Sequence, residues 1–167
     1  MFFTATRRTR ILAENKDRIE NMKIQIKKLK EKAQLPSSGS AYAAGYDLYS
    51  CMEEEQITIA PHTTVMVGTG LAVAIPEGYF GGIFARSGLA AKQNLRPANC
   101  VGVVDSDYRG EVKVALHNDS EEARIIGNGE RIAQLVVLPY LSLEFEEVAE
   151  LEETARGEGG FGHTGMK

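Results

Sequence analysis

From Pro36 onward, apolar residues come in short bursts separated by turn residues. The bursts are Gln56–Ala60, Val65–Val67, Leu71–Ile75, Tyr79–Ala85, Val101–Val104, Val112–Leu116 and Ile132–Leu138, most of them rich in Val and Ile. Pro76-Glu77-Gly78 and Asn128-Gly129 mark turns between them. β-Branched residues fit a pleated, half-buried surface, and Gly, Pro and Asn supply the dihedrals of tight turns. Strands this short at this spacing predict an all-β sandwich or barrel. Within that region Ser87–Gln93 predicts a turn or two of helix. Ahead of Pro36 two patterns overlap. Leu12, Ile19, Met22, Ile26, Leu29 and Ala33 recur at helical intervals, while Lys23-Ile24-Gln25-Ile26-Lys27 alternates as an edge strand does. After Glu152 the chain turns Gly-rich, and Arg156–Gly165 carries no strand signal; this predicts an arm beyond the domain.

Composition narrows the classes. The 167 residues are 43% hydrophobic and 25% charged, proportions of one globular domain with a tail. No stretch approaches the ~18 apolar residues of a membrane helix. Cys51 and Cys100 form no CxxC pair and no disulfide framework, which suits a reducing cytoplasm, and both are expected to be buried or half-buried. Residues 1–35 hold ten Lys/Arg against four Asp/Glu, the remainder nine against nineteen. The basic segment lacks interleaved aromatics, and the body is acidic, so nucleic acid is not the expected partner. Glu14, Asp17 and Glu20 speak against a transit peptide. A polyanionic ligand would have to be met locally, by a few arginines and a cation.

Polar and Gly-rich clusters interrupt the strands at Ala44–Ser50 (AGYDLYS), Ala85–Ala90 (ARSGLA), Gly102–Gly110 (GVVDSDYRG) and Gly129–Leu135 (GERIAQL), with a fifth at Arg156–Gly165 (RGEGGFGHTG). Each alone reads equally well as a turn, a hydrated loop or a linker. Their chemistry is complementary. Arg86 and Arg156 offer forked hydrogen bonds to phosphate oxygens. Ser87 and the main-chain N–H groups at a helix start make an anion pocket, and Gly88 allows a ligand close to the backbone. Asp105 is a carboxylate able to orient or deprotonate water. Phe161 has no core to join in a Gly-rich tail and offers a flat face to a base.

In order and spacing, these five segments resemble the five motifs of the trimeric dUTPase family, a likeness that covers roughly residues 23–167. The resemblance implies an all-β, distorted jelly-roll domain over residues 22–152, an arm over 153–167, and a strand near Met22, which confines any helix to an N-terminal extension within residues 1–21. It implies a homotrimer with three shared active sites, closed by arms, that splits dUTP to dUMP and pyrophosphate. By position, Asp105 resembles the general base, Asp47 the acidic partner that organises the metal's waters and braces its neighbours, and Gln134 the glutamine near the α-phosphate. Arg86, Ser87 and Gly88 match the phosphate grip. Asn99, Val103 and Val104 match the uracil-reading hairpin, Tyr108 the deoxyribose platform, and Lys113 a further substrate contact. Arg156, Phe161, Gly162 and Thr164 match the arm. Mg2+ is implied on the substrate phosphates with no direct protein ligand. His163 departs from the Ser common at that position, and residues 1–21 have no counterpart. A dCTP deaminase of the same fold usually carries Arg-Ser-Ser where this chain has Arg86-Ser87-Gly88. A non-catalytic nucleotide binder is the third reading, against which Asp105, Arg156 and Phe161 speak.

Overall fold

The structure, a computed structural model, describes residues 22–160. The predicted extension helix and the end of the arm lie outside the described residues. Twelve strands and one helix follow one another: β1 Gln25–Lys28, β2 Ser37–Ser38, β3 Tyr46–Tyr49, β4 Gln56–Ile59, β5 Thr64–Gly68, β6 Leu71–Ala74, β7 Tyr79–Phe84, α1 Ser87–Gln93, β8 Leu95–Pro97, β9 Gly102–Val104, β10 Lys113–Asn118, β11 Arg124–Gly127 and β12 Arg131–Pro139. All pairings are antiparallel. They form four sheets with strand orders β1-β6, β5-β10-β8, β11-β4 and β2-β3-β12-β7-β9. The all-β expectation is borne out.

Alternation explains the core. On β10, Val114, Leu116 and Asn118 point inward while Lys113, Ala115 and His117 point out, the period of a strand with one buried face. Leu48, Ile59, Val67, Val73, Ile83, Leu95, Ile126, Ile132 and Leu135 join Val114 and Leu116 in a single cluster fed from every sheet, and Ile26 of β1 packs against it. Burying each such aliphatic side chain contributes ~1.5–3 kcal/mol. Pro97 lies on β8, at the edge of its sheet, where the missing N–H costs no ladder bond. Between β5 and β6, Gly70 has φ of 66°, and a Cβ there would stand 2.9 Å from both Ala33 Cβ and Cys51 Sγ. Only Gly turns that corner without strain.

Each predicted strand appears, with ends shifted by a residue or two. β10 runs to Asn118 because that buried side chain donates to the carbonyls of Ile59, Ala60 and Glu122 and accepts from Ser120. α1 spans the predicted residues and buries one side chain, Leu89. It ends on Asn94, whose left-handed φ of 54° returns its N–H to the Leu89 carbonyl, an Asn-compatible C-cap. Among the described residues the last strand ends at Pro139. Residues 141–158 are exposed and carry no strand.

Candidate active site

The five-stranded sheet brings three of the polar segments together. Asp47 on β3 and Gln134 on β12 are direct cross-strand partners, and Gln134 also faces Phe84 at the end of β7. The chain leaves β7 through Ala85 and Arg86 into α1, so the second segment sits over the same point. Arg86 donates from Nε to Asp47 Oδ1 at 2.8 Å, and Arg131 from Nη1 to Asp47 Oδ2 at 3.3 Å. The Asp47 side chain is only 15% exposed, so the carboxylate is nearly out of water and held by two guanidinium groups. Gln134 Nε2 donates to the Ala85 carbonyl at 2.9 Å. Its amide lies directly over Gly45, where a Cβ would press on Oε1 and come within 3.2 Å of Cδ.

Gly45, Asp47, Phe84, Ala85 and Gln134 border a cleft of about 770 Å3 that Gly39, Ala43, Ala44, Cys100 and Val136 also line, a size suited to a small molecule; Arg86 and Arg131 are joined to it through Asp47. Ser87 and Gly88 are exposed at the start of α1. Arg86 caps that helix without a side-chain bond, and no acidic residue sits in the first turn, so its N–H groups and partial positive charge are unopposed. A Cβ on Gly88 would meet nothing within 4 Å. The space above that backbone is open.

Asn99, Cys100 and Val101 form the tip between β8 and β9, closed by bonds from Cys100 N to the Pro97 carbonyl and from Val101 N to the Asn99 carbonyl. Cys100 was expected among buried or half-buried thiols. It is instead exposed, with φ of 62°, because it occupies a left-handed turn position beyond the strand ends. β9 is the edge of its sheet, so alternate main-chain groups around exposed Val103 and buried Val104 have no strand partner among the described residues.

Asp105 follows β9 and is exposed. It borders a second cleft, of about 840 Å3, with Lys23, Gln25, Glu77, Arg109 and Tyr140 among its lining. Register fixes its separation from Gln134. Val104 pairs with Gly81, which pairs with Val137, so Asp105 lies four residues down the strand direction and two strands across, roughly 16 Å away. One chain therefore does not bring Asp105 to the Asp47–Arg86–Gln134 cluster. Tyr108 is half-exposed, its hydroxyl donating to the Glu111 carbonyl at 3.0 Å. Its ring lies against Gly110, where a Cβ would come within 2.6 Å of Cζ. Lys113 opens β10 with its amine 3.6 Å from Glu111 Oε2, bordering neither cleft. Arg156 is exposed in a turn and donates to the Gly159 carbonyl at 2.7 Å. Phe161, Gly162, Thr164 and His163 lie outside the described residues.

Arg131 is the site residue that pattern reading passed over. Strict alternation along β12 places it on the face opposite Gln134. The available signal was the adjacent apolar pair Ile132-Ala133, both of which are buried.

A family model described as dUTPase matches residues 31–165. The chain is 48% identical over 146 residues to a deoxyuridine 5'-triphosphate nucleotidohydrolase of Hydrogenobaculum sp. (strain Y04AAS1), covering 87% of this chain and 100% of that one. It is similar to the dUTPase of Staphylococcus bacteriophage 80alpha solved with dUPNHPP, at a TM-score of 0.79 and 31% identity, over 87% of this chain and 99% of that one. A dUTPase of phage phi11 of S. aureus, solved as a point mutant to reveal coordination of a structural Mg(II) ion, matches at a TM-score of 0.71 and 26% identity, over 79% of this chain and 100% of that one.

Proposed function

The chain belongs to the dUTPase family, and from that premise we propose that it hydrolyses dUTP to dUMP and pyrophosphate by attack of water at the α-phosphorus. The observation that carries the mechanism is Asp47 and Gln134 at one cleft, with Arg86 bound to Asp47, and an exposed Asp105 at another. Neither half suffices. The first has cations and an amide for a triphosphate but no free carboxylate, since Asp47 is committed to two arginines. The second has the carboxylate. A homotrimer in which Asp105 of one copy faces the Arg86 cluster of another completes the site, with the sheets closed as a distorted jelly-roll and arms reaching across copies.

In that site Arg86, Ser87 and the Gly88 backbone grip the phosphates. Gln134, bound to the Ala85 carbonyl, is fixed near the α-phosphate. Asp105 takes a proton from the attacking water, the new oxygen–phosphorus bond forms, and the bond from the α-phosphorus to the bridging oxygen breaks as pyrophosphate leaves. The hairpin of Asn99, Val103 and Val104 reads the uracil edge through main-chain groups. Tyr108, pinned by its hydroxyl, packs on deoxyribose and leaves no room for a 2′-hydroxyl. Lys113 is a further substrate contact. Arg156, Phe161, Gly162 and Thr164 close the site from the arm, Phe161 stacking on the base.

Among the described residues, no group of three His, Cys, Asp or Glu is arranged to ligate a metal. Mg2+ carried on the substrate's phosphates and waters would neutralise developing phosphate charge. Cys51 and Cys100 are free thiols that fit a reducing cytoplasm. No helix among the described residues is long and apolar enough to cross a membrane, and nucleic acid has no role in this reading.

The test is pyrophosphate release from dUTP, dTTP, dCTP and UTP with and without Mg2+. The expected result is turnover of dUTP alone, dependent on Mg2+. Ammonia from dCTP would make the protein a deaminase, and binding of dUTP without pyrophosphate would make it a non-catalytic binder.

A further inference from the structure

β12 carries one residue too many opposite β3. Gln134 faces Asp47, Ala133 faces Leu48, and the next partner, Tyr49, faces Arg131. Ile132 has no partner: this is a β-bulge. A bulge turns two successive side chains to one face and re-aims the residues beyond it. Here Ile132 and Ala133 both enter the core, and Arg131 emerges on the face that carries Asp47 and Gln134. Were Arg131–Gln134 paired in plain alternation, with no bulge, the Arg131 guanidinium would lie across the sheet from Asp47.

The contact it makes is selective. Arg131 takes Asp47 Oδ2, while Arg86 takes Oδ1 through Nε alone. Arg86 Nη1 has only a long 3.5 Å contact to the Arg131 carbonyl. An arginine and a carboxylate left to themselves prefer the two-bond fork, which would consume one of the Arg86 Nη groups. Arg131 competes for the second oxygen, and Arg86 makes no second bond to Asp47. The cluster also keeps one net positive charge, two guanidinium groups against one carboxylate.

We infer that Arg131 is a positioning residue that, by holding Asp47 Oδ2, keeps the Nη groups of Arg86 off that carboxylate and available to substrate phosphate. This rests on the function proposed above and deepens it. Arg131 need not touch substrate; its side chain is 53% exposed and acts through Asp47.

Turnover by the unaltered protein comes first, because its absence would overturn the proposed function and leave the binding measurements to judge Arg131. The variants are Arg131→Gln and Arg131→Lys, each checked for an unchanged urea midpoint. Binding of the non-hydrolysable analogue dUpNHpp is measured by calorimetry beside kcat and KM for dUTP. Arg131→Gln is expected to weaken analogue binding and raise KM about tenfold, the loss of roughly one charge-assisted hydrogen bond, with kcat within about threefold. Arg131→Lys is expected to recover most of the affinity, since an ammonium can also occupy Oδ2. In an Asp47→Asn background, where no carboxylate competes for Arg86, Arg131→Gln should add less than threefold. Unchanged affinity in Arg131→Gln, or a full tenfold loss in the Asp47→Asn background, would overturn the inference.

Discussion

Adding one methyl group at Gly45 tests how Gln134 is held. Gly45 does not have a positive φ, so alanine suits the backbone there, and its lower freedom in the unfolded chain stabilises the fold by ~0.4–1 kcal/mol. The new Cβ would press on Gln134 Oε1 and approach Cδ to 3.2 Å. The amide is the far end of a flexible side chain, so it swings away and loses its 2.9 Å bond to the Ala85 carbonyl. That loss is ~0.5–1.5 kcal/mol of stability. The two effects nearly cancel, and the urea midpoint should barely move. Catalysis should not be spared. A donor displaced from a developing charge costs ~10²–10³ in turnover, so Gly45→Ala should lower kcat for dUTP about 10²-fold. The assay is pyrophosphate release by Gly45→Ala, Gln134→Ala and the double variant. If Gly45 acts through the amide, the double variant is no slower than Gln134→Ala. Losses that multiply, or a Gly45→Ala enzyme within threefold of wild type, would refute the reasoning.

Asp105→Asn should reduce kcat by about 10²–10⁴ while KM stays near wild type, and the exposed position predicts an unchanged melting curve; full turnover by the Asp105→Asn variant would remove the carboxylate from the mechanism. Arm-deleted chains lacking 154–167, mixed with Asp105→Asn chains, should regain activity that neither has alone, whereas hybrids that form without rescue would place each site within one chain. Asn118→Ala removes a donor to the Ile59, Ala60 and Glu122 carbonyls and the acceptor of Ser120, which should cost ~1–3 kcal/mol by urea unfolding. Arg96 donates to both Asp119 oxygens at 2.6 and 3.0 Å, and this hydrogen-bonded pairing holds the Asp119 carboxyl below its ordinary value of 3.8. A depressed carboxyl stabilises the fold above its ordinary value and ceases to as pH falls through the folded one. Arg96→Gln should therefore lower the urea midpoint at neutral pH, by an amount that shrinks below pH 3.8 to what its bonds to the Pro97 and Ala98 carbonyls contribute; a gap constant with pH would place the effect elsewhere.

Much of the molecule was legible because its signals are local. α1 begins where Arg86 leaves the strand and stops at Asn94, and Val114-Ala115-Leu116 alternates plainly. β3 shows no apolar pattern in the sequence, since Asp47 and two tyrosines surround its one inward residue, Leu48. β8 was hidden by Pro97, which only an edge position tolerates, and no sequence pattern says which strand is the edge. Arg131 escaped for a related reason. Its aim is set by register against β3, a contact about eighty residues away in the chain, not by its neighbours. Cys100 looks buried in the sequence only because of its apolar company, and Val101 and Val103 are themselves exposed on a turn and an edge. The meeting of Asp47, Arg86 and Gln134 is likewise a product of strand order. The family resemblance named the three; strand register is what sets Asp105 apart from them.

That separation, roughly 16 Å by strand register, has a consequence for the protein in dilute solution. If the base and the phosphate grip come from different copies, a solitary chain is folded yet inert. Specific activity would then fall steeply once the protein is thinned below its association threshold, while intrinsic fold markers stay flat. A defective copy would not act as a bystander either: by joining intact chains it would spoil sites that are not its own, so a minority of damaged molecules would silence more than its share.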